Sequence, residues 1–191
     1  MQARATALNR PQAGSDKRPS MPNTLAEINS LDRAAFTAAL GHLFEHSPWV
    51  AAETWPQRPF RDVTQLQAAL CATMRGAPRE RQLALIRAHP DLAGRLAQQN
   101  KLTLESTREQ ASAGLNQLSA EELAGFQKLN AAYLGRFGFP FIICARLSNK
   151  SAILAAMQAR IGNSAEGELA TALGEIEKIA QLRLHDLLKP K

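Results

Sequence analysis

The chain has 191 residues, a length that suits one compact domain and allows a buried core without disulfides or structural metals. Its formal net charge is +6, but residues 1–20 hold four Arg or Lys against one Asp, so half of this charge lies in the first twenty residues. The rest of the sequence therefore lacks the basic stripe of a nucleic-acid-binding domain, and no stretch is apolar enough to cross a membrane.

Residues 1–22 are expected to form a disordered basic tail, followed by a helical domain over residues 23–191. The tail has no apolar segment of the kind that a secretion signal needs, and Pro11 and Pro19 interrupt any amphipathic helix. Cys71 and Cys144 are far apart and lack the spacing of a redox or metal site, which fits a reducing compartment. A cytoplasmic location is the default expectation.

Most of the remaining sequence has helical periodicity and is rich in Ala, Leu, Gln, Glu and Arg, which predicts an all-α fold. The segments with apolar residues at helical spacing are, in chain order, 36–44, 48–54, 64–75, 83–89, 92–96, 103–111, 119–137, 153–161 and 169–187. A capping box of Ser119 and Glu122 marks the start of one of these helices.

His89 is the first candidate functional residue. Pro90 disfavours helical geometry at the residue before it, so the predicted helix ends at His89. The negative end of the helix dipole stabilises an imidazolium, and we expect His89 to be protonated near neutral pH and to act as a general acid. A histidine that only caps the helix is the alternative, which the local pattern favours.

A second candidate group is Ser106, Glu109 and Gln110, which are spaced to share one face of a helix and to line a polar pocket. The same Ser-x-x-Glu pattern is typical of a capping box, in which both side chains bond to backbone amides at a helix start. The pattern by itself favours the capping box.

The run from Phe139 to Arg146 is short, apolar and β-branched, and it ends in a cation. We expect an extended segment with backbone amides available to a ligand, next to an Arg146 that grips a carboxylate through two hydrogen bonds. A buried segment in which Arg146 pairs with a glutamate fits the pattern equally well.

Two alternatives of other classes stay open at this point. His42, Glu45 and His46 match the H-x-x-E-H signature of a class of zinc peptidases, and on a helix both histidines would share a face. Pro48 ends that helix at once and no third ligand is evident, which makes a zinc hydrolase a minor alternative. The other is a helical interaction module with a nucleic-acid-binding tail.

Taken together, the motifs resemble those of the 2-oxo-4-hydroxy-4-carboxy-5-ureidoimidazoline (OHCU) decarboxylases of urate breakdown. The stretches that carry the resemblance, in the order of the family's motifs, are Phe44 to Ala51, Gln57 to Phe60, Ala88 to Gly94, Ser106 to Gln110, Gly138 to Arg146 and Leu182 to His185. Each motif alone is weak, but their order from about Leu31 to Leu188 makes the resemblance specific.

The resemblance implies an all-α homodimer that converts OHCU to (S)-allantoin and carbon dioxide without a metal or cofactor. From the charge distribution and the lack of an apolar span, no nucleic-acid or membrane partner is expected. The resemblance also implies that His89 is catalytic, either bonding the ring hydroxyl or donating a proton. The substrate contacts that it implies are Pro90, Ser106, Glu109, Gln110, Phe141, Ile142, Ile143, Cys144 and Ala145, with Arg146 completing the pocket.

Overall fold

Helices form the fold of residues 22–94 and 102–188, the part of the chain that the computed structural model describes. They are Leu25–Ser30 (α1), Arg33–Leu40 (α2), Trp49–Thr54 (α3), Val63–Gly76 (α4), Arg79–Arg87 (α5), Leu104–Ser112 (α6), Ala120–Phe137 (α7), Lys150–Arg160 (α8) and Ala165–Leu187 (α9). Short 3-10 helices lie at Gly41–Leu43, Trp55–Gln57 and Ala145–Leu147. The described residues contain no β-strand, and the all-α prediction is confirmed.

Side-chain caps explain where many of these helices begin. Each capping side chain accepts a hydrogen bond from a backbone N–H in the first turn, which satisfies a donor that the helix itself leaves free. The residues that cap in this way are Thr24, Asp32, Asp62, Thr103, Ser119, Asn149 and Ser164. The capping box of Ser119 and Glu122 at the start of α7 is confirmed.

The longest helix, α9, forms one wall of the core. Its buried apolar residues recur every three or four positions, which places them on one face of the helix. These residues are Leu169, Ala172, Leu173, Ile176, Ile179, Ala180 and Leu184. This face packs against α4, α5 and the turn at Gly41–Leu43. No helix among the described residues combines the length and the apolar character needed to cross a bilayer.

Segment 139–144 joins α7 to the turn at Ala145–Leu147 and has no regular secondary structure. Gly138 ends α7 in the left-handed region, with φ of 73°, and this lets the chain reverse direction. Arg160 then holds the segment, because its Nη1 donates to the Ile142 carbonyl at 2.9 Å and its guanidinium lies 4.3 Å from the centre of the Phe141 ring. The last residue of α8 therefore holds this segment in place.

Two predicted helices differ from the structure, and the predicted tail lies almost entirely outside the described residues. The helix predicted over 36–44 is too long, because α2 ends at Leu40 and a 3-10 turn follows at Gly41–Leu43. Gly41 packs closely against Pro48 there: a Cβ at Gly41 would lie 3.0 Å from the Pro48 Cβ. Leu92 lies in a turn instead of the predicted helix, and Leu96 lies outside the described residues. The tail predicted over 1–22 also lies outside them, apart from Pro22, and stays a prediction.

Candidate active site

His89 lies two residues after the end of α5, and its side chain is buried at 9% exposure. Its Nδ1 is 3.0 Å from the carbonyl oxygen of Leu85. A carbonyl oxygen only accepts, so Nδ1 carries the proton and donates it, which leaves a lone pair on Nε2. The Nε2 atom is buried and has no hydrogen-bond partner among the described residues. A basic nitrogen without a partner in a buried place is available to a ligand.

Burial lowers the pKa of His89 to about 4, although the bond to Leu85 and the charge of Glu45 act in the opposite direction. The prediction that His89 is protonated near neutral pH is therefore wrong. A helix end favours a cation by roughly 0.3–1 kcal/mol. The fall of the pKa from 6.5 to about 4 corresponds to roughly 3 kcal/mol against the cation. Desolvation decides the charge, and the ring is neutral.

The side chain of His89 lines a small cavity of about 30 Å³, which we call the histidine cavity. Its walls come from the turn after α5, from α6, from segment 139–144 and from α9. The lining residues are His89, Pro90, Leu92, Ser106, Gln110, Phe141, Ile142, Ile143 and Ile179. Seven residues predicted for the site thus meet here from three separate parts of the chain. This volume holds one or two waters, so a ring-sized ligand requires the walls to move apart.

Ser106 lies inside α6 and does not begin it. The N-cap of α6 is Thr103, whose side chain accepts from the Ser106 backbone N–H, and the predicted capping box at Ser106 is therefore wrong. The Ser106 hydroxyl instead donates to Oε2 of Glu45 at 3.2 Å. From the next turn of α6, Gln110 accepts from the backbone N–H of Ala93 at 3.0 Å, which ties the turn after Pro90 to α6.

Glu109 and Arg146 do not line the histidine cavity. They lie in a neighbouring pocket of about 420 Å³, which we call the arginine pocket. Its lining residues are His42, Glu105, Arg108, Glu109, Ser112, Arg146, Arg183, Asp186 and Leu187. Arg146 pairs there with Asp186 at 2.5 Å, so its partner is an aspartate and not the glutamate that the sequence suggested.

Cys144 and Ala145 line neither cavity. The backbone N–H of Cys144 donates to Oε2 of Glu175 at 2.8 Å, so this amide already has a partner. Ala145 begins the 3-10 turn that leads to Arg146. Their predicted contacts with a ligand therefore stay predictions.

Arg183 joins the two cavities through a buried network. Its Nε and Nη2 donate to the two carboxylate oxygens of Glu109, each at 2.8 Å. Its Nη1 and Nη2 both donate to Oε2 of Glu45 at 3.2 Å, and Nη1 also donates to the His42 carbonyl at 3.2 Å. Since Glu45 also accepts from Ser106, the network runs from the histidine cavity to the arginine pocket.

This network contains two functional candidates to which the sequence analysis gave no role in the site. Both belong to motifs of the resemblance, and the one role considered for Glu45 was that of a zinc ligand. The available signal was a cation within the apolar face of the last helix, next to Leu184, because a buried guanidinium must find an anionic partner. The side chain of Arg183 is 4% exposed and that of Glu45 is 3% exposed.

The zinc alternative has lost its geometric basis. Because α2 ends at Leu40, no helix carries His42 and His46 on a common face. The carboxylate of Glu45 is bonded to Arg183 and Ser106. Across residues 22–94 and 102–188, no group of three or more His, Cys, Asp or Glu side chains is arranged to hold a metal ion.

Comparison with known proteins gives a consistent result. Residues 29–185 match the family model described as OHCU decarboxylase. The chain is 44% identical over 164 residues to a 2-oxo-4-hydroxy-4-carboxy-5-ureidoimidazoline decarboxylase of Mus musculus, covering 86% of this chain and 92% of that protein. It is 45% identical over 161 residues to the protein of the same description from Haloferax volcanii, covering 84% and 94%.

Two solved structures share the fold. A crystal structure of (S)-allantoin synthase matches with a TM-score of 0.71 and 30% identity over 88% of this chain. The match covers 54% of that chain, so this protein spans about half its length. A crystal structure of OHCU decarboxylase in the presence of (S)-allantoin matches with a TM-score of 0.61 and 25% identity, over 73% of this chain and 90% of that one.

Proposed function

Because the chain belongs to the OHCU decarboxylase family, we propose that it converts OHCU to (S)-allantoin and carbon dioxide. The observation that carries the proposal is the family match over residues 29–185. It is supported by His89, whose buried Nε2 has no partner among the described residues and which lines a cavity together with predicted site residues of three separate segments.

The chemistry of OHCU explains what such a site must do. Since C2 of its ring is a carbonyl and C4 carries both hydroxyl and carboxyl groups, the remaining ring double bond joins C5 to nitrogen. When the bond from C4 to the carboxylate breaks, carbon dioxide leaves and its electron pair forms a C4=C5 bond. The C=N electrons move to nitrogen, which takes a proton. The substrate thus provides its own electron sink, and the protein must hold the ring and move protons.

The second half of the reaction converts this enol into allantoin. The hydroxyl oxygen on C4 loses its proton and becomes a carbonyl, and C5 gains a proton, which sets the handedness of the product. A neutral His89 with a lone pair on Nε2 can accept the hydroxyl proton. Once protonated, this buried imidazolium is a stronger acid than an ordinary one, because burial lowers the pKa of His89 to about 4, and it returns a proton to C5.

The other site residues divide between the two cavities. In the histidine cavity, Gln110 and Ser106 bond the ring edge, while Pro90 and the residues from Phe141 to Ile143 enclose its faces. The ureido arm extends into the arginine pocket, where its N–H groups donate to Glu109. Arg146 exchanges Asp186 for an anionic or carbonyl oxygen of the substrate. Binding of a ring of this size opens the histidine cavity towards the arginine pocket.

We also propose that the protein works in the cytoplasm as a homodimer, with a small molecule as its substrate and no nucleic-acid or membrane partner. Sedimentation of the purified chain should give twice its mass of 20.8 kDa. A monomer at micromolar concentration would contradict the dimer without affecting the proposed reaction.

The reaction is tested by supplying freshly generated OHCU to the purified protein and following the circular dichroism of the product. Without a chiral catalyst, protonation occurs on both faces of C5 and yields racemic allantoin. With the protein present, we expect faster decay and the signal of the S enantiomer alone. A racemic product formed at the uncatalysed rate would overturn the proposed function.

A further inference from the structure

Glu45 is a buried carboxylate that the proposed reaction does not use. It follows the 3-10 turn at Gly41–Leu43, and its side chain is 3% exposed. Its Oε2 accepts from Arg183 and from Ser106. We propose that Glu45 is a positioning residue for this reaction: it fixes the guanidinium that holds Glu109 and sets the direction of the hydrogen bond at Ser106. This inference rests on the proposed function.

The first part of the inference follows from the hydrogen bonds of Arg183. A guanidinium has five N–H bonds, and those of Arg183 all have acceptors: two on Glu109, two on Glu45 and one on the His42 carbonyl. Arg183 therefore has no donor left for a substrate and acts by holding Glu109. Glu45 bonds the adjoining edge of the guanidinium, through Nη1 and Nη2, so two carboxylates on neighbouring edges fix the plane of Arg183 and with it the carboxylate of Glu109.

The second part follows from the single proton of a hydroxyl group. A carboxylate only accepts, so the bond between Glu45 and Ser106 must use the hydroxyl proton of Ser106. In the histidine cavity Ser106 then offers only lone pairs, and it bonds a substrate group that carries an N–H. Glu45 thus selects for donors on the ring edge, and a neutral amide at this position would lose that selection.

Glu45 also affects the charge state of His89. Its negative charge raises the pKa of His89 against the dominant effect of burial, while Arg183 and His46 lower it. Among the described residues, the other walls of the histidine cavity carry no charged side chain, since α6 contributes Ser106 and Gln110 and segment 139–144 contributes apolar residues. Arg87 and Asp91 lie with His89 in a second pocket, on the side of Pro140, and both keep their charge when Glu45 is replaced. Removing the charge of Glu45 should therefore make His89 harder to protonate.

Three variants test the inference: Glu45→Gln removes the charge at nearly constant shape, Glu45→Asp keeps the charge on a shorter side chain, and Glu53→Gln is the control. Glu53 pairs with Arg81 in a half-exposed ion pair and lines neither cavity. The kcat, KM and pH profile of kcat/KM are measured for each with OHCU, together with far-UV circular dichroism as a check of folding.

For Glu45→Gln we expect kcat to fall at least tenfold, and the acid limb of kcat/KM to move to lower pH. For Glu45→Asp we expect a smaller fall in kcat with the acid limb in the wild-type position, because the charge is kept. Glu53→Gln should match the wild type in both. If Glu45→Gln fails to fold, Glu45→Asp still tests the inference through its kcat.

A folded Glu45→Gln variant with the wild-type kcat and acid limb would overturn the inference, as would a Glu45→Asp variant with the wild-type kcat. A purely structural role would reduce the amount of folded protein and leave the acid limb of the folded fraction in place, which also contradicts it. In these cases the wild-type chain still produces (S)-allantoin, whereas failure of the proposed function shows as a racemic product from the wild type itself.

Discussion

The His89→Asn variant is expected to lose a factor of ~10²–10⁴ in kcat, the usual contribution of a positioned acid or base. Asparagine can keep a hydrogen bond to the Leu85 carbonyl, but it has no basic lone pair at the position of Nε2. The measurement is the initial rate of (S)-allantoin formation from fresh OHCU under saturating conditions, corrected for uncatalysed decay.

His185→Asn is the matched control, because His185 is an exposed histidine on α9 that lines neither cavity. It should retain the wild-type kcat. If His89→Asn also retained a kcat within about threefold of wild type, far less than a positioned acid or base contributes, His89 could not be the proton-transfer group.

The same His89→Asn variant tests the charge state through the stability of the fold. The pKa of His89 is about 4 in the folded protein against 6.5 for an ordinary histidine, so the unfolded chain binds more protons between these values. The free energy of unfolding therefore falls as the pH drops from 6.5 towards 4, by roughly 3 kcal/mol from this residue. Urea titrations across this range should show that loss in the wild type and not in His89→Asn.

The helices could be predicted from the sequence because their signals are local. Apolar residues at a spacing of three or four mark the buried faces, and a single polar side chain marks each start, as Ser119 does for α7. The prediction failed where a contact outside the helical pattern decides the structure. The helix over 36–44 is cut short where Gly41 packs against Pro48, and nothing within the helical pattern encodes that contact.

The candidate site was predictable in part for the same reason. The resemblance identified segments that do meet around His89, but the sequence could not give the partners of Arg183, since Glu45 is 138 residues away and Glu109 is 74 residues away. The protonation of His89 was predicted wrongly because the helix end is visible in the sequence and the burial is not. At Ser106, two possible caps lie three residues apart, and Thr103 is the one that α6 uses.

A second large effect, on the stability of the fold, is expected at Arg160. This residue belongs to a buried cluster that contacts segment 139–144 at Phe141 and Ile142. Glu168 on α9 is completely buried and accepts from Arg160 and from the Tyr133 hydroxyl. Its other oxygen accepts from Asn163 at 2.7 Å. Burial and the bond to Glu168 raise the pKa of Tyr133 well above its usual value, so this hydroxyl stays protonated and donates. Arg160 is the only cation that contacts Glu168 among the described residues.

We expect Arg160→Met to lower the free energy of unfolding by about 3–5 kcal/mol, because it leaves the charge of Glu168 buried without its cation. Arg79→Met is the control. Arg79 pairs with Glu166, which lies on α9 as Glu168 does, but both side chains of this pair are more than half exposed. Solvent screens that pair, so its loss should leave the stability nearly unchanged. Urea-induced unfolding followed by far-UV circular dichroism measures both variants.

The double variant Arg160→Met with Glu168→Gln separates the charge from the packing. If the unpaired carboxylate causes the loss, the neutral amide should restore much of it, because Tyr133 can still donate to the amide oxygen and Asn163, with its amide turned over, can accept from the NH2 group through Oδ1. A double variant no more stable than Arg160→Met would mean that the loss comes from Arg160's contacts with segment 139–144. In that case the histidine cavity, which Ile142 lines, depends on Arg160 directly.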